Sequence, residues 1–279
     1  MSDERATNSM GLTLNLLAVF LYLLTALLLW KQTGRGAEHR GAGPRAKVAL
    51  PWLAALACHA AGLAPVVMTG DGLNLAFFQA ASLAALLLSL TLLVSCLRLP
   101  LELLGLVVLP LAAVVILFSH ADPSRILVAG AAVPGIQAHI LLSFLAYAFL
   151  SLAGIQAVAI YLQDRRLKVH GSPALLANLP PLDKMETFLF HLLGIGVALL
   201  TLSLASGWLY HDDLMAQHLV HKTVLSAAAW LFFSVLLVGR KLLGWRGRTM
   251  LRLVLTGVVL LALAYFGSKM VLELILHRV

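Results

Sequence analysis

The sequence predicts an all-α fold: a polytopic integral membrane protein with eight transmembrane helices. Three observations carry this expectation. Hydrophobic residues make up 61% of the 279 positions and charged residues only 11%, against roughly 45–50% and 25% in soluble domains. A water-soluble fold of that composition would expose apolar patches that water does not tolerate. The apolar residues also gather into eight runs of the length that crosses a hydrocarbon core, about 20 residues each. Finally, Lys and Arg are abundant in every second connecting segment and scarce in the others.

The first run, 11–30, follows MSDERATNSM, which is not a basic leader flank. Its apolar stretch exceeds a typical signal core, so it is expected to stay in the membrane. Runs two and three cover 48–69 and 75–97. The fourth, 101–118, is the least regular, because Pro110 interrupts it and Glu102 stands at its start. A kinked span is tolerated where neighbouring helices re-satisfy the freed carbonyl. The remaining runs cover 134–161, 188–210, 223–239 and 251–276. The longest polar stretches, 31–47 and 163–187, are too short to fold alone, and no internal repeat stands out. One helical membrane domain over 1–279 is expected.

Segments 31–47, 98–100, 162–187 and 240–252 hold 15 of the 20 Lys and Arg, and the opposite set holds 5. The positive-inside rule places the first set in the cytoplasm and both termini outside. This asymmetry explains the net charge of +8 without a nucleic-acid partner, and no dense basic tract suited to phosphates is present. Cys58 and Cys96 lie inside apolar runs and form no CxxC pair. That argues against disulfide stapling, a zinc site and covalent haem attachment. No nucleophile arrangement, phosphate-binding glycine loop or metal triad stands out, so the chain is not expected to be an enzyme.

In so apolar a chain, ionisable residues at membrane depth carry the functional information. Six of the ten histidines fall at the predicted outer face: His120, His139, His211, His218, His221 and His277. His59 falls near the middle of the second span, next to Cys58, and His191 near the inner end of the sixth, beside Gly194 and Gly196. His139, Ser143, Tyr147 and Ser151 recur every four residues and so share one helix face. Such a face either bonds a neighbouring helix or lines a ligand cavity. His221 opens the seventh span, with Trp230 further along it. The outer loop before it supplies His218, Asp212 and Asp213, a spacing that matches no defined metal motif. Lys269 and Glu273 can pair across one turn of the last span; a snorkelling pair at a helix end is expected. Two outer histidines on different spans are what bis-imidazole haem ligation needs, with Trp208, Tyr210, Trp230, Phe144 and Tyr147 as candidate walls.

The order of short motifs carries a resemblance. His139-Ile-Leu-Leu-Ser-Phe-Leu-Ala-Tyr147 is followed by His221-Lys-Thr-Val-Leu-Ser-Ala-Ala-Ala-Trp230, then Gly244-Trp-Arg-Gly247 and Ala264-Tyr-Phe-Gly-Ser-Lys269. This resembles the haem-handling cytochrome c assembly proteins (the CcsA/CcmC group), and their short YpjD branch in particular. The motifs lie in 134–279. The resemblance implies a bacterial inner-membrane protein that receives or presents haem b at the outer face through external histidines. His139 is the matching position and His221 the second candidate, with His218 and His277 behind it. Read from their own positions, Tyr147, Trp230, His59 and His191 are further candidate cofactor contacts. Membrane lipid and other cytochrome c biogenesis proteins are the implied partners. The tryptophan-rich loop (WWD) of better-known members is absent: Trp208 precedes an outer loop, 209–221, that has no tryptophan. Two other readings remain open on the same scaffold. One is a transporter or ion-transport accessory with a polar path through His59, His191 and the Lys269/Glu273 pair. The other is a structural partner of a membrane complex, docking through the 244–248 turn.

Overall fold

A computed structural model describes residues 2–33, 46–70, 72–97, 101–122, 124–128, 130, 133–168, 181–210, 217–245, 247–267, 269–270 and 273. The all-helical expectation holds. Among the described residues, eight helices are long and apolar enough to cross a membrane, and they coincide with the eight runs of the sequence. They are α1 (Ser2–Thr33), α2 (Ala46–Val67), α3 (Phe77–Cys96), α4 (Gly105–Ala121), α5 (Pro134–Lys168), α6 (Leu182–Tyr210), α7 (Gln217–Leu243) and α8 (Gly247–Ala262). The helices group into two compact units, α1–α4 and α5–α8.

In the first unit α1 packs on α2 and α4, while α3 packs on α2 and α4. Pro110 sits inside α4 without ending it, and a single 3₁₀ turn, Glu102–Leu104, leads in. Gly105 permits the close approach of α4 to α1: a Cβ there would lie 2.8 Å from the Leu29 side chain. Polar residues thread the interior. Trp52 Nε1 donates to Ser89 Oγ at 2.9 Å, Tyr22 Oη meets His59 Nδ1 at 3.2 Å, and His59 Nε2 meets Ser82 Oγ at 2.9 Å. Each of these groups is buried and bonded, as polar atoms in hydrocarbon must be. At one end of the unit a short hairpin pairs β1 (Met68–Thr69) with β2 (Gly72–Leu73). The Asn74 side chain accepts from the amides of Ala76 and Ile126, and Gln79 Nε2 donates to the carbonyls of Ser119 and Asp122 at the end of α4.

In the second unit α5 packs on α6 and α8, and α7 packs on the same two helices, so α5 and α7 stand at opposite corners. Small residues set the close approaches. Gly196 faces Leu150, Gly154 faces Val258, and Gly257 lies against the Phe233 ring. Beyond Ala262 the last span widens into a π-helical turn, Leu263–Gly267. The link between α7 and α8 turns through Gly244 and Gly247 at φ 65° and 70°, a conformation glycine adopts without a Cβ clash. Arg240 braces this turn, donating to the Trp245 carbonyl, lying over the Phe190 ring and pairing with Glu186.

Candidate functional site

The polar face of α5 turns inward. His139 Nδ1 lies 2.8 Å from the carbonyl of Ser203 on α6 and 3.2 Å from Ser206 Oγ. A carbonyl only accepts, so Nδ1 carries the proton and the basic lone pair of the neutral ring falls on Nε2. Ser143 Oγ donates to the His139 carbonyl and shares a hydrogen bond with Ser203 Oγ at 2.7 Å. Gly207 provides the ring's seat: a Cβ there would lie 2.9 Å from His139 Cε1. The half-buried imidazole is thus fixed in tautomer and orientation by a neighbouring backbone. Metal-ligating histidines are commonly held in this way, with the second ring nitrogen bonded to a carbonyl or carboxylate.

Deeper along the same face, the Tyr147 hydroxyl donates to the carbonyl of Leu261, at the point where α8 gives way to its π turn. That turn shifts the hydrogen-bond ladder from i−4 to i−5, and the phenol attaches where the ladder changes. Tyr265 within the turn packs its ring edge-on against Phe144 and Tyr147, at 5.6 and 6.0 Å between centroids. Phe266 also meets Tyr147, at 5.6 Å. An aromatic layer therefore lies below His139.

The registers of the helices set the depth of the other candidates. Phe144 opposes Tyr265, and five residues outward on each helix lead to His139 on α5 and to Met270, between Lys269 and Glu273. On α7, Trp230 Nε1 donates to Thr201 Oγ1 of α6 at 2.7 Å. Nine residues outward from that contact are His221 and Tyr210, and Tyr210 covers Gly135, one turn beyond His139. Counting instead from Phe233 against Gly257, twelve residues outward on each helix give His221 and Lys269. Both counts put the backbone of His221 within about one turn, or about 6 Å, of the depth of His139. The side chains of His218 and His221 lie outside the described residues, as do His211, Asp212, Asp213 and His277.

Lys269 and Glu273 form an ion pair at 2.6 Å with side chains only 10% and 12% exposed. This corrects the expectation of a snorkelling pair, whose charged heads would stand in water. The other two histidines have their own settings. His59 belongs to the first unit, with both ring nitrogens hydrogen-bonded. His191 is exposed on α6; the neighbouring Gly196 serves the approach of Leu150, while Gly194 has open space before it. Among the described residues no three of His, Cys, Asp and Glu come together as metal ligands would.

Ser203, Ser206 and Gly207 were not singled out from the sequence. They lie more than 60 residues from His139, and only their own spacing on α6, one turn apart, hints at a shared face.

The profile of the family described as "Cytochrome C assembly protein" matches residues 48–276. A protein of Escherichia coli strain K12 described as "Inner membrane protein YpjD" is 35% identical over 242 residues, covering 86% of this chain and 92% of that protein. An uncharacterized 28.8 kDa protein of Azospirillum brasilense is 37% identical over 156 residues, 55% of this chain and 58% of its own length. No solved structure matches significantly.

Proposed function

This chain belongs to the cytochrome c assembly protein family, and we propose that it holds haem b near the outer face of a bacterial inner membrane and passes it on without making or breaking covalent bonds. In this reading His139 and His221 would hold the haem iron, and the termini face outward, in line with the Lys and Arg distribution. The observation that carries it is the state of His139. Its Nδ1 proton is committed to the Ser203 carbonyl, which leaves the ring's basic lone pair on Nε2.

The residues present fit the group. Haem supplies a planar macrocycle and an iron with two axial positions for imidazole nitrogens. The backbone of His221 belongs to α7, the corner opposite α5, within about one turn of the depth of His139. The Tyr147 layer limits how far a flat ligand can descend, and Trp230 closes the side between α6 and α7. Proteins that deliver haem or accept it are the partners this role requires. His59 and His191, the two remaining candidate contacts, stand outside the ligand pair, and His59 serves as the contrast.

The test is the absorption spectrum of purified protein from haem-supplied cells. The wild type is expected to show a Soret band, with His139→Ala and His221→Ala each losing most of it. His59→Ala is expected to keep the band while losing stability, because Ser82 loses its bond to Nε2 and Tyr22 keeps only Ser89 as a partner, a cost of about 1–3 kcal/mol. A wild-type protein without the band after haem feeding, or His139→Ala with an unchanged spectrum, overturns the proposal.

A further inference from the structure

Lys269 and Glu273 sit at the depth of His139 and are almost wholly withdrawn from the surface. A buried ion pair is weak evidence for stability, since apolar residues of similar volume often serve as well. Ionisable groups inside a membrane bundle more often mark a functional path or site. The surroundings indicate which group matters. Lys269 Nζ lies 5.9 Å from the centre of the Tyr265 ring, the ring that packs on Phe144 and Tyr147. The ammonium is therefore held against the aromatic layer under His139. Glu273 stands one turn further out along the last span.

We propose that Lys269 is the subsite for a ligand carboxylate, and that Glu273 occupies it when no ligand is bound. Resting on the haem reading above, this assigns a haem propionate to Lys269. The exchange keeps charge in balance: one carboxylate leaves the ammonium as another arrives, and Glu273 turns outward towards water. Glu273 is thus an internal competitor, and the two members of the pair have opposite effects on binding. A pair that only braced the helix would weaken binding on loss of either member.

The test uses the full-length protein in nanodiscs, titrated by fluorescence with iron-free protoporphyrin IX and with its dimethyl ester. Neither probe needs an axial histidine. The wild type is expected to prefer the dicarboxylate about tenfold or more, the scale of one charge-assisted hydrogen bond. Lys269→Met abolishes the preference, Lys269→Arg keeps it, and Glu273→Gln binds the dicarboxylate several-fold more tightly than the wild type. All three bind the ester alike, which also reports that they are folded. Equal binding of the two probes by the wild type, no binding of either, or weaker dicarboxylate binding by Glu273→Gln overturns the proposal. A haem Soret band dependent on His139, together with equal porphyrin binding, removes this inference and leaves the haem reading standing. Dicarboxylate preference without such a band does the reverse.

Discussion

In the proposed reading a single imidazole decides whether the second unit can grip a metal-bearing guest, and that imidazole rests on a residue with no side chain. The ring of His139 rests on Gly207 while its Nδ1 bonds Ser203. Gly207→Val places methyl groups where the ring lies. We expect it to cost about 1–3 kcal/mol and to weaken haem binding, read by spectroscopic titration. A variant that titrates like the parent would show that the ring needs no such seat. Ser206→Ala is the mild counterpart, because the Ser203 carbonyl remains as acceptor. The His-x3-Ser-x3-Tyr face was legible in the sequence, since a spacing of four is a local property of one helix. Its acceptors were not, because nothing along the chain announces which carbonyl of α6 arrives opposite His139.

At the level of elements, the join between α8 and its π turn has the clearest energetic signature. The Tyr147 hydroxyl bonds the Leu261 carbonyl there, tying α5 to α8 through a polar contact surrounded by aromatic rings. Tyr147→Phe keeps the ring packing and removes the bond, leaving that carbonyl without the phenol. A loss of about 1–3 kcal/mol is expected, seen as a lower unfolding midpoint in detergent by circular dichroism. An unchanged midpoint would mean the carbonyl finds another donor. The eight spans themselves were readable because length and apolarity are one-dimensional quantities. Even the doubtful fourth span holds as a helix across Pro110. The π turn was not readable, as its residues Leu263–Gly267 continue the same apolar run. Nor was the bonding of Asn74 to Ile126, which joins residues far apart in the chain.

On the scale of the whole molecule, the distribution of basic residues makes a directional prediction. The exposed Lys241 and Ser124 lie on opposite sides of the membrane if the heavy Lys and Arg segments are cytoplasmic. With Cys58 and Cys96 replaced by alanine, Ser124→Cys is expected to react with a membrane-impermeant maleimide in intact spheroplasts. Lys241→Cys is expected to react only after lysis. The reverse pattern would invert the topology and put His139 at the cytoplasmic face. The family membership fixes the kind of scaffold, whereas cargo and direction depend on the few polar side chains it carries.

The widened turn in the last span has an evolutionary reading. A π stretch is equivalent to an α-helix with one residue inserted, so losing a single codon anywhere in Leu263–Gly267 would let the ordinary coil resume. The wider turn already absorbs the extra residue, so every side chain beyond it would keep its face of the helix. Lys269 would still face the bundle, and a lineage that drops that codon would keep both the buried charge and all its spans.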